Sequence, residues 1–164
     1  PYALFVGGNF YANRDGIEWF IANVAPHLAI RTCIVGRGFE SIGDQFSSHP
    51  SIDVIGEVEH LGSWYHGAKM VVAPIFDGSG MKTKIAESLM YGKMVIGTPE
   101  AFVGYERFIS KIGLVCTTAE EFVNTCNTFD NHVDRASQGE RRQIYEQEFS
   151  SQAAQRRLTA ILED

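Results

Sequence analysis

Apolar residues in this chain come in short, near-continuous runs. Between the runs they recur at three- and four-residue spacing. The runs are YALFV (2–6), TCIV (32–35), IDVI (52–55), MVVA (70–73), MVIG (94–97) and GLVC (113–116). Such short β-branched runs, several closed by Gly or Pro, predict strands buried on both faces. Ile17, Phe20, Ile21, Val24 and Leu28 fall on one helical face and predict a helix over 17–28, shortened or bent by Pro26. A weaker helix is predicted over 61–68, and firmer ones over 81–91, closed by Gly92, and over 120–128. The tail reads as two helical stretches within 140–163, split near Ser150 and Ser151, the second carrying Ala154, Leu158, Ile161 and Leu162. Strands alternating with helices predict an α/β fold: a doubly wound, Rossmann-like parallel sheet of about six strands. No repeat, low-complexity tract or domain boundary interrupts the pattern, so residues 1–164 read as a single domain.

In a sheet of order 3-2-1-4-5-6, the winding reverses between the first and fourth strands, and ligands sit outside the strand ends there. That rule selects two glycine-bearing loops, GGNFYANRD (7–15) and PIFDGSGMK (74–82). The second has an electrostatic anomaly. Lys82 and Lys84 stand in the first turn of the predicted helix, where cations oppose the helix dipole by about 0.3–1 kcal/mol each. A bound anion reverses that sign, because backbone N–H groups, dipole and lysines then act together; a phosphate or diphosphate is the natural candidate. On a helical wheel, Met81, Ile85, Ala86, Leu89 and Met90 form the buried face. Lys82 falls at that azimuth, and either extends its head past the sheet end into the crevice or is a plain surface lysine. Lys84, Glu87, Ser88 and Tyr91 fall opposite. By spacing alone, Lys84 and Glu87 read as a solvated i,i+3 pair. The Gly36-Arg37-Gly38 segment reads as a structural turn rather than a phosphate loop, and Trp19 and Trp64 read as packing residues.

Composition narrows the function classes. The 164 residues carry 14 Lys and Arg against 20 Asp and Glu, a net charge of −6, which excludes a broad nucleic-acid surface but not a local cationic pocket. Cys33, Cys116 and Cys126 are odd in number and widely spaced, so they read as buried reduced thiols in a reducing, cytoplasmic setting. His60 and His66 lack zinc-ligand spacing, and no metal site is expected. No Ser-His-Asp or Cys-His arrangement is visible. Neither an apolar run of membrane-spanning length nor a signal peptide is seen. The start at Pro1, running almost at once into a strand, suggests a piece of a longer polypeptide or a trimmed chain.

The stretch VVAPIFDGSGMKTKIAESLMYGKMVIGTPEAFVGY (71–105) resembles the donor-site signature of GT-B glycosyltransferases, most closely the retaining family 4, or group 1, enzymes. The matching pieces are Pro74, Gly78 to Gly80, Lys82-Thr83-Lys84, Glu87, Gly92-Lys93-Met94-Val95-Ile96, Thr98 and Gly104; the upstream LFVGGNFYANRDGIEWF, IVGRG and VIGEVEHLGSWYHGAKMVVAP are similar more weakly. The resemblance implies a donor-binding domain for a nucleotide sugar, UDP- or GDP-type, with no cofactor. Glu87 would hold the ribose. Lys82 and Lys84 would stabilise the diphosphate leaving group. Gly78, Ser79, Gly80 and Met81 would form a phosphate and sugar loop. Gly56, Glu57 and Val58 would lie against the base, with Gly7, Gly8 and Asn9 near the phosphates.

Two departures stand out. Many members carry a second glutamate where this chain has Ser79, which leaves the donor sugar open, with Asp77 nearby as a substitute. An Arg…Lys pair after the first strand is reduced to Arg14, which shifts diphosphate binding onto Lys82 and Lys84. The implied partners are an N-terminal acceptor domain of the same protein, toward which the tail helices would return, and an acceptor sugar or lipid-linked glycan of polysaccharide biosynthesis. Peripheral membrane association of the full-length protein fits that acceptor, and the chain alone would be inactive. Two alternatives share parts of the pattern: half of a non-hydrolysing nucleotide-sugar epimerase, and a non-catalytic nucleotide-binding scaffold.

Overall fold

The structure, a computed structural model, describes residues 1–46, 49–78 and 82–163. Six strands, β1 (Tyr2–Val6), β2 (Arg31–Val35), β3 (Ile52–Gly56), β4 (Ala68–Ala73), β5 (Val95–Gly97) and β6 (Gly113–Val115), form one parallel sheet of order β3-β2-β1-β4-β5-β6. The expected Rossmann-like fold and winding reversal are both present. Alternate side chains along each strand serve opposite faces. Ala3, Phe5, Ile34, Met70, Val72 and Ile96 pack beneath α1 (Tyr11–Asn23) and α6 (Ala119–Thr128). Leu4, Val6, Val35, Val71, Ala73 and Val95 pack against α3 (Gly62–Gly67), α4 (Thr83–Met90), α5 (Ile109–Ile112) and α7 (Asn131–Ile144). Two-sided burial explains why the strands read as unbroken apolar runs. All three cysteines are buried free thiols, as expected.

Several boundaries differ from the sequence reading. Helix α1 begins at Tyr11 rather than at residue 17, so the first loop is only four residues, Gly7 to Phe10. It ends at Asn23, and Pro26 belongs to a separate 3₁₀ turn, Ala25–His27. Short helical pieces at Glu40–Ile42, α2 (Gly43–Phe46), Pro99–Phe102 and Glu106–Phe108 lacked enough length to show a period. Helix α7 begins at Asn131, nine residues before the expected tail helix. Its N-terminal half is mostly polar, and a polar contact pins it. The fully buried Arg141 ion-pairs with Asp134, two turns earlier on the same face of α7, and donates from Nε to the Gly92 carbonyl at 2.9 Å.

After α7 the chain makes a π-turn, Tyr145–Phe149, and restarts at Ser150 as α8 (Ser151–Glu163), so the expected split is present. Phe149 packs against Tyr105 with ring centroids 4.7 Å apart. On α8, Ala153 is buried, whereas Leu158, Ile161 and Leu162 are 62 %, 72 % and 85 % exposed. No helix among the described residues is long and apolar enough to cross a membrane.

Two glycines set the spacing of the elements around the winding reversal. A Cβ on Gly16 would stand 1.8 Å from the Pro74 carbonyl oxygen, so α1 lies directly on the chain leaving β4. Gly36 has φ +151°, and a Cβ there would stand 1.8 Å from the Gly7 carbonyl oxygen. The exits of β1, β2 and β4 are thus held together by backbone contacts that no other residue type permits.

Candidate functional site

A cleft of about 410 Å³ opens over the C-terminal ends of β1 and β4. Gly7, Gly8, Phe10, Ala12 and Asn13 form one wall. Gly36, Arg37, Glu57, Val58 and Leu61 form the second, and Asp77, Gly78, Lys82, Thr83, Lys84 and Glu87 the third. Nine of the fourteen residues singled out from the sequence therefore meet in one place: Gly7, Gly8, Glu57, Val58, Asp77, Gly78, Lys82, Lys84 and Glu87. Ser79, Gly80 and Met81 lie outside the described residues. Asn9 and Gly56 do not border the cleft. Asn9 turns away, its Nδ2 donating to the Gly38 carbonyl at 2.8 Å, and Gly56, at φ +78°, makes the turn that delivers Glu57 and Val58.

Two helices end at this cleft with their N-termini. Helix α1 has no side-chain cap and no acidic residue in its first turn; α4 has neither as well. Their leading N–H groups and dipoles therefore add positive potential at the cleft wall.

The two lysines sharpen that potential differently from each other. Lys82, at the N-cap of α4, is 8 % exposed; its Nζ donates to the Gly78 carbonyl at 2.6 Å and pairs with Glu100 at 3.2 Å. Its head thus curls into the loop at the cleft rim, and the plain surface-lysine alternative falls. Tyr105 fixes the backbone of that N-cap, its buried hydroxyl donating to the Lys82 carbonyl at 3.1 Å. Thr98, also buried, donates to the Ile75 carbonyl and anchors the loop from β4.

Lys84 corrects the solvated-pair reading. It is 8 % exposed, and its Nζ lies 4.2 Å from the centroid of the Phe5 ring. Its hydrogen-bond partner is neutral, Asn13 Oδ1 at 2.8 Å, and no salt bridge among the described residues includes it. Burial pushes its ammonium down to about 7; Glu87 opposes that shift, and Lys82 adds to it. A buried cation matched only by an amide and an aromatic face is costly unless a further anion arrives. The wheel also misassigned Met90, which is 39 % exposed, and Ser88, which is fully buried. Lys84 and Ser88 share a buried edge of the helix, where Lys84 reaches the Phe5 ring of β1 and the Ser88 hydroxyl is satisfied by the Lys84 carbonyl at 2.6 Å.

Glu87 is half-buried on the same helix and accepts from the Tyr65 hydroxyl at 3.2 Å. Asn13 was missed by sequence reading, although it is 5 % exposed and ties the cleft together. Besides accepting from Lys84, its Nδ2 donates to the Gly8 carbonyl at 2.8 Å. An asparagine inside a helix that faces a Gly-Gly turn was the available signal. Thr83 and Arg37 were also missed; Arg37, from the turn read as structural, borders the cleft and pairs with Glu57 at 2.7 Å.

No curated protein sequence matches the chain. Among solved structures, sucrose-phosphate synthase (tll1590) from Thermosynechococcus elongatus superposes with a TM-score of 0.77 at 18 % identity, covering 99 % of this chain and 45 % of that one. Anabaena Alr3699/HepE, solved in complex with UDP, gives 0.74 at 13 % identity over 98 % and 49 %. WaaG, a glycosyltransferase involved in lipopolysaccharide biosynthesis, gives 0.68 at 14 % over 90 % and 44 %. The chain thus spans less than half the length of these proteins, and at such identities the likeness shows a shared fold, that of one half of a GT-B enzyme. The sequence itself matches the model of the family described as Glycosyl transferases group 1 over residues 1–129, and the chain belongs to that family.

Proposed function

We propose that this chain is the donor-binding half of a glycosyltransferase and that its cleft holds a nucleoside diphosphate sugar. The observation that carries this reading is Lys84: a buried cation in no salt bridge among the described residues, hydrogen-bonded only to the neutral Asn13 there, at the meeting point of two uncapped helix N-termini. A diphosphate supplies the missing charge, and the helix ends, Lys82 and Lys84 then act on it together. When the bond between the sugar and the diphosphate breaks, negative charge grows on the departing phosphate oxygen. A preset cationic pocket stabilises that state more than the ground state. Glu87 suits a ribose diol, since a carboxylate accepts from two hydroxyls, and Val58 and Leu61 offer an apolar wall for a base. Alr3699/HepE, which shares the fold, was solved with UDP and with UDP and glucose, which supports the reading in kind. The acceptor belongs to a second domain of the full-length enzyme, so the chain by itself performs no transfer.

The test is calorimetric titration of the chain with UDP-, GDP- and ADP-sugars, alongside a transfer assay. One of the three should bind without turnover. Lys84→Met and Glu87→Ala should each weaken that binding about tenfold or more, the weight of a charge-assisted hydrogen bond. No binding by any nucleotide sugar, or turnover by the chain alone, would sink the corresponding half of the proposal.

A further inference from the structure

Tyr65 has no exposed surface, and its ring stacks on Tyr91 at the C-terminal end of α4, with centroids 4.6 Å apart and planes within 10°. A phenylalanine would fill and stack equally well. The buried hydroxyl needs a reason, because burying one unsatisfied is costly. It donates to Glu87 Oε2 at 3.2 Å, with the buried Ser88 side chain beside it. Glu87 Oε1 takes no hydrogen bond or ion pair among the described residues, and Glu87 borders the cleft. Leu61, one turn before Tyr65, borders it too, and its carbonyl accepts the Tyr65 backbone N–H at 3.0 Å. One buried hydroxyl therefore connects the α3 wall to the cleft carboxylate on α4.

We propose, resting on the nucleotide reading above, that Tyr65 is a positioning residue: its hydroxyl fixes one oxygen of Glu87 and leaves the other facing the nucleotide's sugar, so that the cleft selects ribonucleoside over 2′-deoxyribonucleoside diphosphates. A carboxylate free to rotate accepts one hydroxyl as readily as two. One held in place accepts from a vicinal diol, and loses more when one hydroxyl is missing, because a fixed, partly desolvated acceptor is left unpaired.

The experiment titrates UDP, GDP and ADP, then the 2′-deoxy form of whichever binds best, into the chain and into Tyr65→Phe, Glu87→Gln and the double variant. The unmodified chain should prefer the ribonucleotide by about tenfold. Tyr65→Phe should lose that preference by weakening the ribonucleotide while leaving the deoxynucleotide unchanged. It should have no further effect in the Glu87→Gln background. Equal weakening of both nucleotides marks a packing role and overturns the proposal; so does an unchanged ratio. If Tyr65→Phe does not fold, a ratio that survives Glu87→Gln overturns it instead. Failure of the unmodified chain to bind any of the three overturns the nucleotide reading itself, a result distinct from the others.

Discussion

At the scale of the residue, Lys84 sets the chemistry and the stability of the site against each other. Its folded value of about 7 lies below the ordinary lysine value of about 10.4. Between those two pH values the unfolded chain holds the extra proton, so stability of the ligand-free chain rises with pH across that window and is lower below it. Lys84→Met should remove that slope and raise the melting temperature at pH 7 while weakening nucleotide binding, and melting curves from pH 6 to 10 would check both parts. A bound diphosphate restores the proton. Affinity for a nucleotide sugar, whose own phosphates do not titrate here, should therefore fall as pH rises above about 7, by at most about tenfold per unit. A flat titration series from pH 6.5 to 9 would show that Lys84 does not meet the anion.

Residue type concealed this lysine from sequence reading. A helical wheel assigns burial by hydrophobicity, so a lysine and a serine at the centre of the buried edge count against their own placement. The dipole anomaly pointed to the right turn of the right helix, but the partner, Asn13, comes from 71 positions earlier in the chain and only the fold brings it near.

At the scale of the element, the strands were legible because two-sided burial writes a continuous apolar run, and all six fall within two residues of expectation. Helix α1 was legible only in its second half. Its first turns, YANRDG, put Ala12 and Asn13 at the cleft, leave Tyr11, Arg14 and Asp15 in solvent, and carry the contact glycine Gly16 instead of large core residues. The start of α7 was hidden for a related reason: its anchor is the Arg141–Asp134 pair and not an apolar stripe. Arg141→Met should thus leave Asp134 and the Gly92 carbonyl buried and unpaired, lowering stability by about 3–5 kcal/mol. Urea unfolding monitored by circular dichroism would measure it, and a change under about 1 kcal/mol would show that the pair is solvated in practice.

At the scale of the whole molecule, a chain of net charge −6 brings two buried lysines and two helix N-termini together in one recess. The outer face of α8 carries a different property. Leu158, Ile161 and Leu162 hold their side chains in water on a helix that buries only Ala153 among its described residues at the level of the core. They contribute little to folding, yet hydrocarbon kept wet in a row governs how the particle meets its neighbours in solution. Light scattering on the isolated chain should show attraction that grows with ammonium sulfate. Leu158→Gln with Ile161→Gln should turn that attraction toward repulsion without moving the melting temperature. The colloidal behaviour of this chain would then be set by a few side chains on its last helix, independently of the fold and of the cleft.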